Sequence, residues 1–301
     1  MARHANATLM LPESGQLARF ARLYGPTLNA RATVPGASEQ GRRRTGPGTE
    51  FYEYREYQPG DDARRLDWQK SLATGRPQMR QLQQHYQSDW FVCVDASASM
   101  LMPGLGKFSL AAQLAAATAY LLLEHGNRVG LLQFSSGLDA TVAPGRGRYQ
   151  YQALCRQLLV ANDSSGGSGS NPGICASAAG ASGSGLFVIS DFLGPDSQFR
   201  GLDLLRSKHR ELHALQITSV DELTLPDTAA CRLRDSETGA TRELPDTAQA
   251  AIQASAIFDR QQAQLRAHCA RRRIHLSQAS TGHNWMQVLR THLQTTRGIG
   301  Q

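Results

Sequence analysis

The distribution of apolar residues changes character near residue 88. Beyond this point, short apolar runs alternate with longer segments of helical periodicity. The runs WFVCVD (90–95) and LFVISD (186–191) are almost entirely apolar, as is typical of central parallel strands covered on both faces. Further strands are predicted for the segments RVGLLQF, LDATVA, ELHALQI and RIHLS.

Helical segments separate these strands. They are predicted at 108–124, 149–160, 199–208, 248–272 and 285–294, with a short Ala-rich helix after a Gly/Ser loop at 163–173. The segment CRLRDSETGATREL predicts a small hairpin around Thr238 and Gly239. Strands that alternate with helices predict an α/β fold with a doubly wound, mostly parallel sheet.

The first 87 residues follow a different pattern. A helix is predicted at 13–24, and EFYEYREY (50–57) alternates as an extended strand does. Pro59-Gly60 is a turn dipeptide, after which Asp61 or Asp62 is expected to cap a short helical stretch through Trp68. With a second extended run at 78–87, the sequence predicts an N-terminal segment with β strands (1–87) and an α/β domain (88–301).

Composition and charge narrow the functional classes. The formal net charge is +7, but the basic residues are spread thinly and form no recognition pattern for nucleic acid. The five cysteines show no CxxC pair, which argues against a disulfide framework or a zinc site. The most apolar segment, 110–123, is shorter than the roughly 20 residues that span a bilayer. We therefore expect a soluble, cytoplasmic protein without a membrane span.

Two of the predicted strands end in oxygen-bearing residues. Asp95 ends the first and runs into a loop with Ser97 and Ser99. The second ends in Ser190 and is followed by Asp191. In open α/β sheets, sites form at the carboxyl ends of strands. Hard cations such as Mg²⁺ prefer small oxygen ligands and keep several waters. The alternative is that Asp95 caps the following turn and that the serines are ordinary loop residues.

The sequence DASASM after a buried strand resembles the metal-site motif of von Willebrand factor A domains. Upstream, EFYEYREYQPGDDARRLDWQKSLATG resembles the signature of the family called domain of unknown function 58. Members of that family are similar to von Willebrand factor A proteins encoded beside MoxR-type AAA+ ATPases. The resemblance implies a chaperone-like or assembly role with such an ATPase. The matching signature positions are Arg55, Tyr57, Asp61, Asp62, Arg64, Asp67 and Trp68.

The same resemblance implies a metal-ion-dependent adhesion site. Asp95, Ser97 and Ser99 would form its first loop, and Asp191 would act through water. The middle ligand of the motif is normally a threonine in a Gly-Gly-Thr loop, whereas this loop reads SSGGSGSNPG, so Ser170 or Ser168 must replace it. The expected ion is Mg²⁺ or Mn²⁺. The open coordination position would accept a Glu or Asp from a partner protein, either a MoxR-type ATPase or its client.

The signature segment itself has two interpretations. In the structural one, which we favour, an Asp caps the turn, Arg64 pairs with Asp67 and Trp68 packs on the sheet. In the other, the concentration of charge and aromatic area forms a partner-binding surface.

The sequence argues against three other functions. A Mg²⁺-dependent phosphatase of the haloacid dehalogenase type needs a second Asp two residues after the nucleophile, where this chain has Ser97. A phosphate-binding loop at 104–109 lacks the required first Gly, and Phe108 stands where Ser or Thr must bind the metal. Nucleic-acid binding would need the positive charge to be organised into a groove. The sequence therefore predicts a metal-dependent protein-interaction module and not an enzyme.

Overall fold

The computed structural model describes residues 9–24, 50–58, 66–83, 89–102, 104–160, 169–179, 185–194, 197–209, 211–219, 222, 231–244 and 247–298. The chain divides into two compact units. The larger comprises residues 1–30 and 88–301, and the smaller comprises residues 31–87.

A six-stranded sheet is the centre of the larger unit. Its strands are β3 (Asp89–Asp95), β4 (Arg128–Phe134), β5 (Leu138–Gly145), β6 (Gly185–Ser190), β7 (Glu211–Thr218) and β10 (His275–Ser280). Their order across the sheet is β10-β7-β6-β3-β4-β5. All neighbours are parallel except the edge pair β4 and β5, which is antiparallel. The predicted doubly wound, mostly parallel sheet is confirmed.

The central strands are buried on both sides, which explains their continuous apolar sequences. In β3, Trp90 and Val92 pack into the core on one face of the sheet, whereas Phe91 and Cys93 pack into the core on the other. This alternation follows from the two-residue period of a strand.

Helices cover both faces of the sheet. The first face carries α1 (Ser14–Tyr24), α3 (Lys107–Glu124), α4 (Gly147–Val160) and α8 (Trp285–Gly298). The second carries the short α5 (Cys175–Ala178), α6 (Ser197–Lys208) and α7 (Thr247–Arg272). Helix α3 lies at the centre of its layer, and its many small alanines permit close packing against the strands. Within the described residues, no helix combines the length and apolar character needed to cross a bilayer.

Helix α1 differs from the predicted division of the chain at residue 88. We expected it to belong to an N-terminal segment, but it lies in the larger unit. Leu17, Phe20 and Ala21 are buried in the core, and the Phe20 ring lies 5.5 Å from the ring of Trp285 in α8. Burial of this apolar face stabilises the packing of α1 against α3 and α8.

The smaller unit contains β1 (Glu50–Glu56) and β2 (Gln78–Gln83), paired antiparallel, and α2 (Trp68–Thr74). The short helix expected from Asp61 or Asp62 through Trp68 lies largely outside the described residues. Helix α2 begins at Trp68, because Asp67 caps it by accepting the amide hydrogen of Lys70 at 3.0 Å. One expectation for the signature is wrong. Trp68 does not pack on a sheet, since 69% of its surface is exposed.

The predicted hairpin is present as β8 (Cys231–Arg234) and β9 (Thr241–Leu244), which pair antiparallel. It forms its own two-stranded sheet. Leu233, for example, is 42% exposed. The hairpin therefore extends from the larger unit without being part of its central sheet.

Candidate metal centre

The carboxyl edge of the sheet carries a cluster of oxygen-bearing side chains. Asp95 ends β3, and Ser190 ends the adjacent parallel strand β6. Because neighbouring parallel strands end at the same edge, the loops that follow them meet there. The residues at this edge include all five predicted metal ligands, namely Asp95, Ser97, Ser99, Ser170 and Asp191.

Asp95 is the centre of the cluster and is fully buried. Its Oδ1 accepts the amide hydrogen of Ser97 at 2.9 Å. Its Oδ2 accepts hydroxyl hydrogens from Ser170 and Ser190, each at 2.6 Å. The Ser97 and Ser99 hydroxyl oxygens lie 3.2 Å apart. Three segments that are distant in sequence are thus joined at one carboxylate.

The buried position of Asp95 changes its acidity. Burial raises the pKa of Asp95 to about 6, and the neighbouring Asp191 carboxylate contributes to the rise, although the serine hydrogen bonds lower it. At neutral pH the site therefore holds an ionised carboxylate in an unfavourable environment. A nearby cation would relieve this.

Ser170 is positioned by its neighbour Asn171. The Asn171 amide donates to the Ser135 carbonyl at the end of β4 at 3.1 Å, and the Asn171 side chain accepts the Gly173 amide at 3.0 Å. The resulting 3-10 turn (Pro172–Ile174) packs closely on Gly201 of α6. The alternative ligand Ser168 lies outside the described residues.

We predict that Gly201→Ala disturbs the Ser170 segment. A Cβ at Gly201 would lie 2.6 Å from the backbone nitrogen of Gly173, and backbone cannot yield as a flexible side chain does. Overpacking of this kind costs about 1–3 kcal/mol. Urea unfolding measures the loss, and metal titration is expected to show weaker binding. Ser207→Ala on the exposed face of α6 is the control, and equal behaviour of both variants would contradict the prediction.

Lys107 is a member of the site that sequence reasoning missed. It begins α3, and its side chain is completely buried. The ammonium lies 2.8 Å from Asp191 Oδ2 and also pairs with Glu222. Burial lowers the pKa of Lys107, but the attraction of the two carboxylates outweighs it and leaves the pKa raised. The available signal was a lysine at the start of an otherwise apolar, buried helix.

Glu237 is the second member that the sequence did not reveal. It lies at the tip of the β8–β9 hairpin, and its carboxylate accepts the backbone amides of Ser99, at 2.9 Å, and of Gly169. These amides belong to the two loops that carry Ser99 and Ser170. Nothing in the local sequence indicates this long-range contact.

The donor set suits a hard dication. Serine hydroxyls that donate their hydrogens to a carboxylate keep lone pairs for a cation. Among the described residues at the site, four carboxylates accompany one ammonium, which gives an excess of negative charge. The carboxylates are those of Asp95, Asp191, Glu222 and Glu237, and the ammonium is that of Lys107. In the part of the chain that the structure describes, no three His, Cys, Asp or Glu side chains form a metal-binding group by themselves. Hydroxyl ligands would therefore be essential.

The signature residues lie in the smaller unit. Asp67 is 8% exposed and accepts the Tyr54 hydroxyl hydrogen at 3.0 Å, so its role among the described residues is structural. The Tyr57 amide donates to the Pro77 carbonyl at 2.9 Å. Arg55 lies in β1 opposite Met79. Asp61, Asp62 and Arg64 lie outside the described residues.

A chain of buried polar groups lies near the amino end of β7. His213 Nε2 is 3.0 Å from Glu211 Oε1, and His213 Nδ1 is 2.8 Å from His292 Nε2. The Ser277 hydroxyl is 2.8 Å from His292 Nδ1. An imidazole ring that donates one hydrogen bond and accepts another fits each place in this chain. The chain therefore explains how two histidines can be fully buried in the core.

A mostly parallel six-stranded sheet with helices on both faces, and an Asp-x-Ser-x-Ser loop at its carboxyl edge, define a doubly wound α/β protein. The family follows from the sequence match. The chain belongs to the family described as protein of unknown function DUF58, whose model matches residues 53–268.

Relatives in this family include uncharacterized proteins of Mycobacterium tuberculosis and Mycobacterium bovis. Each is 34% identical to this chain over 204 residues, a match that covers 66% of this chain. The match spans 64% of the length of these curated relatives.

Two solved structures were found to be similar. One is the conserved hypothetical protein BatB from Bacteroides thetaiotaomicron, with a TM-score of 0.39 and 11% identity, covering 70% of this chain and 99% of that one. The other is an aerotolerance-related membrane protein from Bacteroides fragilis, with a TM-score of 0.40 and 14% identity, covering 69% of this chain and 99% of that one.

Proposed function

We propose that this protein is a metal-dependent protein-interaction module. The observation that carries the proposal is the convergence of Asp95, Ser97, Ser99 and Ser170 at the carboxyl edge of the sheet, with an excess of carboxylates around them. Mg²⁺ or Mn²⁺ is the proposed ion, because both accept an oxygen-only ligand set. When bound, the ion would supply a Lewis-acidic position for a carboxylate of a partner.

Each residue of the candidate site has a distinct role in this proposal. Ser97 and Ser99 would hold the ion by their hydroxyls, with Ser170 as the ligand from the second loop. Asp95 would balance the charge and orient the hydroxyls, since it already binds those of Ser170 and Ser190. Asp191 would act through water, because its Oδ2 is paired with Lys107.

Binding is proposed over catalysis. The position two residues after Asp95, where a phosphatase of the haloacid dehalogenase type needs an acid, is the buried Ser97. A hydroxyl of ordinary acidity does not serve as a general acid near neutral pH. The Lys107 ammonium is held between two carboxylates and is not available to a phosphate. A protein carboxylate is therefore the proposed ligand of the site.

The proposed partner is a MoxR-type AAA+ ATPase or a client that it remodels, in the assembly or maturation of proteins in the cytoplasm. Its support is the resemblance of residues 50–75 to the family signature, together with the family membership. A MoxR-type ATPase from the same genome, immobilised and exposed to the protein with and without Mg²⁺, tests this pairing. Retention that EDTA abolishes is the expected result.

Calorimetric titration with Mg²⁺ and Mn²⁺ tests the metal site. We expect saturable binding to the wild-type protein and none to Asp95→Ala, because the substitution removes the carboxylate that organises three loops. Ser99→Ala is expected to weaken binding by about tenfold or more. Ser177→Ala, which changes an exposed serine of α5, is the matched control. Equal binding by wild type and Asp95→Ala, or no binding by the wild type, would overturn the proposal.

A further inference from the structure

The β8–β9 hairpin carries an acidic side chain to the candidate metal centre from within the same chain. One oxygen of the Glu237 carboxylate accepts the amide hydrogen of Ser99, and the other accepts that of Gly169. Ser99 is a proposed ligand, and Gly169 immediately precedes another, Ser170. The carboxylate therefore lies between the two loops from which an ion would be held.

The hairpin tip is organised to present this side chain. Asp235 Oδ1 accepts the amides of Glu237, at 2.7 Å, and of Thr238, at 3.0 Å. These hydrogen bonds lower the pKa of Asp235. Gly239 adopts a positive φ of 70°, which closes the turn. The conformation of the tip is fixed by its own residues and needs no contact with the sheet.

Electrostatics alone does not account for a fourth carboxylate at this place. Asp95 and Asp191 already place two carboxylates at this edge of the sheet, and the buried Lys107 ammonium is paired with Asp191 and Glu222. Two amide hydrogen bonds hold the Glu237 carboxylate at this edge, although other carboxylates lie nearby. A dication between the loops would make the arrangement favourable.

We propose that Glu237 is the chain's own ligand for the metal ion and occupies the position that an acidic side chain of a partner would take. This inference rests on the proposed metal-dependent function. The hairpin is then an internal competitor, so a partner reaches the ion only by displacing Glu237. The exchange replaces one carboxylate by another, so the two bound states differ little in the chemistry at the ion.

The surroundings of the tip are compatible with displacement. Among the described residues, β8 and β9 pair only with each other, and the side chains of Arg232, Leu233 and Arg234 are exposed. A cleft of about 450 Å³ lies between Met102 and the hairpin residues 234–239. The hairpin therefore buries little surface that its movement would expose to water.

The test compares Glu237→Gln with Glu243→Gln. Glu243 is the matched control because it lies in the same hairpin but pairs with Arg232, at 2.6 Å, on the exposed side. Mn²⁺ titration measures affinity, and the water-proton relaxivity per bound Mn²⁺ reports the water molecules on the ion. Hydrogen exchange of residues 231–244 with and without Mg²⁺ reports closure of the hairpin.

We expect Glu237→Gln to weaken Mn²⁺ binding by about tenfold or more and to raise the relaxivity, because water replaces the carboxylate. Added acetate is expected to reverse the rise in relaxivity. Mg²⁺ should slow hydrogen exchange of the hairpin in wild type and in Glu243→Gln only. If Glu237→Gln matches wild type in all three measurements while Asp95→Ala loses the metal, the internal ligand is refuted and the metal site stands. If wild type binds no metal, both are refuted.

Discussion

Replacing Lys107 by methionine is expected to lower the free energy of unfolding by about 3–5 kcal/mol, the range measured when one partner of a buried ion pair is removed. Methionine fills a similar volume but leaves Asp191 and Glu222 without their cation. The Asp191 side chain is only 2% exposed, so water cannot compensate for the loss. Urea unfolding followed by the fluorescence of the buried Trp90 and Trp285 measures the effect in the larger unit.

Lys208→Met is the control for this substitution. It makes the same chemical change at an exposed lysine at the end of α6, and an exposed substitution of this kind changes stability by less than about 0.5 kcal/mol. Comparable losses in the two variants would show that the ammonium of Lys107 is not the source of the effect. Because Lys107 neutralises Asp191, its loss should also change the metal affinity of the site.

Asp95→Asn is expected to stabilise the metal-free protein at high pH while it removes metal binding. The folded protein holds the pKa of Asp95 at about 6, above its usual value of 3.8, so ionisation opposes folding. The stability that the protonated form contributes is complete below pH 3.8 and is lost as the pH rises through about 6. At about pH 8 this loss amounts to about 3 kcal/mol, which asparagine avoids.

Urea unfolding between about pH 4 and pH 8, in EDTA, tests this prediction. The difference between wild type and Asp95→Asn should be small at the acidic end and grow with pH. Added Mg²⁺ is expected to raise the stability of the wild type alone. Asp259→Asn, at an exposed position in α7, is the control. If the difference in free energy of unfolding between wild type and Asp95→Asn did not change with pH, the raised pKa of Asp95 would be refuted.

The central fold could be predicted from the sequence because the patterns that indicate its strands and helices are local. The apolar runs of β3 and β6 and the periodic segments between them predict strands and helices without knowledge of their neighbours. Helix α1 was assigned to the wrong unit because its partner, α8, lies near the other end of the chain. Trp68 was expected on a sheet because of its aromatic character, whereas its position as the first residue after a helix cap leaves it exposed.

Only part of the site could be predicted from the sequence, because some of its residues are defined by tertiary contacts. Asp95 and Asp191 could be predicted because Asp95 ends one apolar strand and Asp191 directly follows another, and parallel strands bring their ends together. Lys107 and Glu237 belong to no metal-site motif, and their roles depend on tertiary contacts with Asp191, Ser99 and Gly169. A burial pattern indicates that Lys107 must have a partner, but it does not indicate which one.

The packing of α1 against α8 has a consequence for how the protein is made. Helix α1 leaves the ribosome long before Trp285, against which Phe20 packs, has been synthesised. Contacts of such long sequence separation form late. The apolar face of α1 can pack on α3 earlier, but it is fully covered, and the core of the larger unit closes, only after synthesis of α8.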